Sequence, residues 1–229
     1  MMIEFIVLAC SHKHHGRCVA GIDLTNKRLI RLVSHDEETN YAIPKTECKI
    51  NSRNLLPLDV ISVDLTSHME KHGAQTENYY FSFPLVKSFI RKATIDELKP
   101  YLYECKISLY PFPFCSKNAF MRKYEYEKKE ESLCLVRAYA LHFKTIEKNG
   151  IFKTKVSFDI YQKYSNKEKT TLVDYSVTDP EYMMYDGQPN NANKSDLGRA
   201  FLLISLGQDD DSDYYYKYVS GIIDFTNAD

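Results

Sequence analysis

From Ile151 to Tyr161 apolar and polar side chains alternate: Phe152, Val156, Phe158 and Ile160 fall on one face, and Lys153, Lys155, Ser157 and Asp159 on the other. A period of two sends successive side chains to opposite faces of a pleated backbone, so this segment reads as a half-buried antiparallel strand. Asp59 to Leu65 repeats the pattern, with Ile61, Val63 and Leu65 inward and Ser62 and Asp64 outward. Ile3 to Cys10 and Phe201 to Leu206 are continuous apolar runs, which suit strands buried on both faces. Cys18 to Asp23, Arg28 to Val33, Leu133 to Phe143, Thr171 to Val177 and Tyr214 to Ile223 are further strands. Helix signals are few. Thr94-Ile-Asp-Glu97 is a capping box ahead of Leu98, and Asp179-Pro180-Glu181 reads as the start of a short helix through Met184.

The expected fold is therefore mainly β. At 229 residues the chain is about 1.5 times a typical domain. Pro111-Phe-Pro113 and the charged stretch ending in Lys128-Lys-Glu-Glu131 interrupt the strand pattern, which places a boundary there and divides the chain into 1–120 and 121–229. Each part holds four to six strands and about one helix. Small antiparallel barrels are the natural solution, because closure removes edge strands that a short sheet exposes. Asp23-Leu-Thr-Asn26-Lys27 lies between two strands and reads as a hairpin turn, while Asp186 to Lys194 and Asp209 to Asp213 read as exposed loops.

No apolar run exceeds about six residues, against the roughly twenty of a spanning helix, so no membrane segment is expected. Glu4 stands where a signal peptide carries positive charge, and the expected location is cytoplasmic. Thirty basic and 31 acidic residues exclude a strong global basic field, so any nucleic-acid role is local. Residues 1–130 carry 19 basic against 16 acidic side chains and residues 131–229 carry 11 against 15, which directs the search for anion binding to the first part. The six cysteines show no C-x-x-C spacing and read as reduced thiols.

The richest polar constellation is Ser11-His-Lys-His-His-Gly-Arg-Cys-Val-Ala-Gly-Ile-Asp23, a glycine-containing loop between strands. With Lys27, Arg28 and Arg31 beyond it, Ser11 to Arg31 holds five basic residues and one acid, a set suited to phosphate. The alternative is a solvated hairpin with Gly16 and Gly21 chosen for turn geometry. Adjacent His14 and His15 diverge on an extended backbone, and His68-Met-Glu-Lys-His72 has the wrong order for a zincin helix, so no metal is expected. Nucleotide-binding P-loop, dinucleotide, hydrolase-elbow and deaminase motifs are absent, and no cofactor is expected. Tyr214-Tyr-Tyr-Lys217-Tyr218 lies on a strand, with Tyr214, Tyr216 and Tyr218 on one face and Tyr215 and Lys217 on the other. Most of these rings are expected to pack in a core, and an exposed face can stack bases. Gln75-Thr-Glu-Asn78-Tyr-Tyr80 supplies groups suited to base-edge hydrogen bonds or to a polar turn.

SHKHHGRCVAGID (Ser11 to Asp23), RLIRLVS (Arg28 to Ser34), LLPLDVISVDL (Leu55 to Leu65), QTENYY (Gln75 to Tyr80), SVTDPEY (Ser176 to Tyr182), FLLISLG (Phe201 to Gly207) and YYYKYVSGII (Tyr214 to Ile223) together resemble the bacterial dual OB-containing domain family, in family order along nearly the whole chain. The resemblance implies two OB-like antiparallel β-barrels in tandem with a few short helices. By position it carries the family's polar signature onto Lys13, Gly16, Arg17, Cys18, Arg31, Ser34, Asn78, Asp179, Ser205, Gly207 and Lys217. Leu29 stands where an aromatic is common in the family, and Tyr79 where a Trp follows the Glu-Asn pair.

The function expected is a non-catalytic module for single-stranded or distorted DNA or RNA, possible in a prokaryotic defence or nucleic-acid-processing setting. Its candidate contacts are Lys13, Arg17, Lys27, Arg28, Arg31, Ser34, Asn78, Tyr79, Tyr216 and Lys217. Two alternatives stay open. One is a protein-interaction adaptor acting through the acidic second part. The other is a nucleotide- or nucleic-acid-processing enzyme built on Cys18 or His14 with Glu77 or Asp179.

Overall fold

The computed structural model of the chain describes residues 1–70, 75–103, 119–123, 131–162, 165–183, 196–208 and 212–226. The chain divides into two compact units, Met1–Tyr101 and Leu102–Asp229. Pro111, Pro113, Lys128 to Glu130, His72, the loop Asp186 to Lys194 and the acids Asp209 to Asp211 lie outside the described residues.

The first unit contains β1 (Met2–Lys13), β2 (Gly16–Asp23), β3 (Arg28–Val33), β4 (Lys49–Ile50), β5 (Arg53–Asn54), β6 (Asp59–His68), β7 (Asn78–Phe81), β8 (Ser88–Lys92) and the helix α1 (Ile95–Leu98). Strand order is β1-β2-β3-β7-β6, and β6 pairs back onto β1, which closes five strands into a barrel. Neighbours run antiparallel except β3 and β7, which are parallel with Arg31 opposite Asn78 and Leu32 opposite Tyr79. Five strands closed in this Greek-key order are the OB barrel. Strand β1 serves both β6 and β2, and an irregularity between Val7 and Ala9 bends it between them.

Alternation fills the interior with Ile3, Phe5, Val7, Val19, Ile30, Leu32, Ile61, Val63, Leu65 and Phe81, joined by Ile43, Cys48, Ile50 and Leu55 from the β3–β6 connection. Phe5 to Ala9 is buried along both faces. Gly16 and Gly21 serve close approach rather than turn geometry. A Cβ on Gly21 would lie 1.9 Å from the Ile6 carbonyl oxygen, and one on Gly16 would lie 2.5 Å from that of Ile43. His14, at φ 45°, makes the β1–β2 turn instead. The Asp23 turn forms as expected: its Oδ1 accepts from the Thr25 and Asn26 backbone N–H groups at 3.0 and 3.1 Å.

Asp59 fastens β5, β6 and β8 together. Its buried carboxylate accepts two bonds from Arg53 (2.7 and 2.9 Å), one from the Leu56 N–H (2.9 Å), and a Lys92 ammonium at 2.9 Å. Burial alone pushes this carboxyl up, and the donors from Arg53, Lys92 and Leu56 outweigh it, leaving it below the usual carboxylate range. In α1 the Thr94 N–H donates to Glu97 at 2.8 Å, and Arg91 together with this cap brings the Glu97 carboxyl down to about 2.

The second unit contains β9 (Phe120–Arg122), β10 (Leu133–Lys148), β11 (Ile151–Gln162), β12 (Ser165–Val177), β13 (Leu197–Gln208) and β14 (Tyr214–Asp224). Its order β12-β11-β10-β13-β14 closes through a parallel pairing of β12 with β14, Ser176 opposite Tyr218. This is the same circuit as in the first unit. Ala200 to Ile204 is buried on both faces, and Phe158 meets Tyr175 edge-on at 5.4 Å.

Three sequence expectations need correction here. Asp179-Pro180-Glu181 opens one turn rather than a helix, because the Asp179 carboxylate accepts the N–H groups of Glu181 and of Ile222 on β14 and ties the segment to the barrel. Strand β10 runs to Lys148 rather than Phe143, since Asn149 and Gly150, at φ 55° and 75°, form a two-residue turn that lets both strands continue. Phe152 is 40% exposed rather than buried with Val156 and Phe158, because it lies on that extension.

Two stability outcomes follow from these contacts. Gly21→Ala is expected to lower stability by about 1 to 3 kcal/mol in urea denaturation, since the added methyl meets backbone that cannot rotate away. Asp59→Asn is expected to cost about 1.5 to 3 kcal/mol at pH 7. A carboxyl held low in the folded state stabilises above its unfolded value of about 4, and that stabilisation disappears as pH falls through the folded value. The gap between wild type and Asp59→Asn should therefore narrow in melts at progressively acidic pH.

Candidate nucleic-acid interface

The basic residues of the first barrel separate into two groups. Lys13 and Arg17 belong to the β1–β2 end, where Arg17 and Ile43 exchange backbone hydrogen bonds of 2.8 Å. Lys27 and Arg28 belong to the β2–β3 turn, at the other end of an eight-residue strand that spans roughly 23 Å. Both groups reach solvent, Lys27 and Arg28 as exposed residues and Lys13 and Arg17 in part. Burial pushes the Lys13 ammonium below its ordinary value, with the charge of Arg31 adding to the shift and Cys18 opposing it.

Arg31 is not on either surface. It is 1% exposed, and its guanidinium donates to Asn78 Oδ1 at 2.9 Å across the parallel β3–β7 pairing. Asn78 is equally buried, and its amide also reaches Gln75 at 3.3 Å. Ser34 is buried and donates to the Ala42 carbonyl at 2.9 Å. Arg31 and Asn78 thus join β3 to β7, and Ser34 fastens the segment that follows β3. In the second unit Lys217 is likewise buried, its ammonium 5.8 Å from the centre of the Tyr175 ring, while Tyr216 on the opposite face of β14 is half-exposed. The alternation expected for Tyr214 to Tyr218 therefore holds, with Tyr215 and Lys217 inward.

Where the β2–β3 turn comes near β7 in the first barrel, three side chains converge. The Arg28 guanidinium lies 4.7 Å from the centre of the Tyr79 ring, His68 meets the same ring edge-on at 4.8 Å, and Lys27 is next in the turn. Asp23 Oδ2 stands 3.6 Å from Arg28 Nε and orients the guanidinium, whose side chain stays 44% exposed. Tyr79 rests against the core with its lower part and is half-exposed above. Strands β3, β6 and β7 thus bring one cation and two aromatic rings together, with the exposed Lys27 next to Arg28 in the chain. His68 was not a sequence candidate for this role. The parallel β3–β7 pairing brings β7 beside β3, and the His68–Tyr79 register places the histidine there; no local pattern signals either.

Hydrogen bonding with Cys10, followed by burial, raises the Cys48 thiol far above its ordinary value, which keeps it protonated. Among the described residues no group of three His, Cys, Asp or Glu side chains is placed to hold a metal ion, and no helix is long and apolar enough to cross a membrane. Glu77 accepts from the Thr76 N–H at 3.1 Å, and Asp179 is bonded as described above.

A family model described as the dual OB-containing domain matches residues 3–222. The chain belongs to the dual OB-containing domain family. Its two barrels with one strand circuit agree with that description. A search of curated proteins returned no match.

The burial of Arg31 and Asn78 gives this family member a structural test. Asn78→Leu is expected to cost more than about 2 kcal/mol in chemical denaturation, because it removes the Oδ1 acceptor from a buried guanidinium. Lys27→Ala, at an exposed turn, should change stability by no more than about 0.5 kcal/mol.

Proposed function

We propose that this chain is a non-catalytic module that binds single-stranded or distorted nucleic acid through the end of its first barrel. The observation that carries this reading is the cluster of Arg28, His68 and Tyr79 on an OB barrel, with the exposed Lys27 next to Arg28 in the chain. OB barrels take oligonucleotides and oligosaccharides through the face of their second and third strands and the adjoining loops. A cationic guanidinium above a tyrosine face suits a charged backbone with flat bases, since the cation meets phosphate while ring and guanidinium stack on a base. Uncharged saccharides make no use of the cations.

Lys13 and Arg17 extend the reading to the other end of β2. A distance of roughly 23 Å between the two basic groups fits a single strand of a few nucleotides, within the range of about 4 to 16 nucleotides that one OB barrel covers. The net charge of -1 means that affinity comes from these local cations rather than a long-range field.

Fluorescence anisotropy with labelled DNA and RNA, single- and double-stranded, across a salt series tests the proposal. Salt-sensitive binding is expected, because each neutralised phosphate releases counterions. The double variant Lys27→Glu with Arg28→Gln should weaken binding to every sequence and flatten the slope of log affinity on log salt by about 1.4 for a single strand, two contacts at about 0.7 each. Tyr79→Leu should cost about 1 to 3 kcal/mol of affinity if a base stacks there. Absence of binding at low salt refutes the proposal.

A further inference from the structure

In the first barrel the β1–β2 hairpin runs past its neighbouring strands but is tied at Arg17 to Ile43 by backbone hydrogen bonds, whereas the corresponding β10–β11 hairpin of the second barrel is exposed along its tip. Strand β10 pairs with β13 only from Leu133 to Leu141, and β11 pairs with β12 only from Lys155 onward. Between these limits the β10–β11 hairpin pairs with itself alone, and the Asn149-Gly150 turn closes its tip. A two-stranded arm of this kind projects past the closed sheet. Isolated two-stranded hairpins are marginal in water, so an arm kept this long has a use beyond packing.

Its two faces differ. Cross-strand partners share a face, so the pairings Lys144 with Lys155 and Ile146 with Lys153 place three lysines and an isoleucine together, with Ile151 next on the same side. Lys144, Ile146, Ile151 and Lys153 are exposed and Lys155 partly so. On the opposite face Thr154 and Val156 are buried and Phe143 stacks on Tyr182 at 5.5 Å, so that side is turned to the barrel near the base of the arm. Asp174 holds Lys144 at 2.7 Å, and at the base of the same face Asp196 stands 2.6 Å from His142. Lys155 donates to Ser176 at 2.7 Å. Burial, and then the charges of Lys153 and Lys144, lower the Lys155 ammonium, and Asp174 opposes the shift.

We propose that this lysine-lined face of the β10–β11 arm is a second nucleic-acid contact, with Lys153 and Lys155 on the phosphate backbone and Ile146 and Ile151 against sugars or bases. The inference rests on the nucleic-acid reading above and extends it to the second barrel. Charge and shape select the occupant. A two-stranded ribbon is one of the few protein elements that enters a nucleic-acid groove, and lysines on one face match phosphates alongside it. A membrane surface fits less well, because insertion needs the large apolar groups on one face, whereas Phe152 pairs with Glu147 on the side opposite Ile146 and Ile151.

The test uses the full chain and the double variant Ile151→Glu with Lys153→Glu. Both positions are exposed, so folding is not at stake, and circular dichroism verifies this. A labelled 20-nucleotide single strand and a 20-base-pair duplex are titrated by anisotropy across a salt series, beside the Lys27→Glu, Arg28→Gln variant. In parallel, a photo-crosslinking amino acid at position 146 is irradiated with each probe, with an acidic protein fraction and with anionic vesicles. The proposal expects at least about tenfold weaker binding of the arm variant at low salt, a flatter salt slope, and crosslinking to the oligonucleotide, with the preferred probe identifying the strand type. If the wild type binds, the first-barrel variant is impaired and the arm variant binds like wild type, the arm proposal falls while the first reading stands. Crosslinking to protein or vesicles but not to either oligonucleotide also overturns it. If the wild type binds neither probe, both readings fall together.

Discussion

Each barrel depends on one parallel pairing. An antiparallel meander of three strands has two open edges, and a fourth and fifth strand close it only if the fifth lies parallel to the third while the fourth returns to the first. Once closed, backbone donors and acceptors that would face solvent at an edge are paired within the sheet. In the first unit that pairing sets Arg31 opposite Asn78, which then bond through their side chains in the dry space beside the seam. It also carries Tyr79 to a position from which Arg28 and His68 can reach its ring. The candidate interface is thus a consequence of how the barrel is closed.

Buried charge in this protein is structural. Arg31, Asp59 and Lys217 are each removed from water and each placed against partners or an aromatic ring. Removing a charge from water costs several kcal/mol unless it is well paired, so such residues specify one arrangement of strands more than they add net stability. The exposed cations are freer to meet a ligand. Lys27 at a turn, Arg28 beside it with Asp23 as its partner, and Lys153 on an arm are all exposed to solvent.

Much of the fold was legible. The sequence pattern located nine of the strands, Arg28–Val33 to the residue, among them the continuous runs at Phe5 and Phe201, which are strands buried on both faces. The Thr94 capping box opened a helix, whereas the similar signal at Asp179 did not, because its carboxylate found a partner on a distant strand. The Asn149-Gly150 pair was a readable hairpin signal, and it accounts for the length of the arm and the exposure of Phe152. Among the candidate contacts, residue type identified the cations but not their exposure. Arg31 and Arg28 are three residues apart on one strand, and only one of them meets water.

The sequence by itself determined the strand content, the turn at Asp23, the doubly buried runs and the family, since these rest on local periodicity, on turn chemistry and on ordered short motifs. Tertiary structure decided which polar groups became seams and which became surface. That choice depends on which strand lies next to which, and on long-range pairings such as Arg31 with Asn78, 47 residues apart, which no local pattern encodes. A buried arginine and an exposed one look alike in a sequence, because the difference between them is the water that the rest of the fold removes.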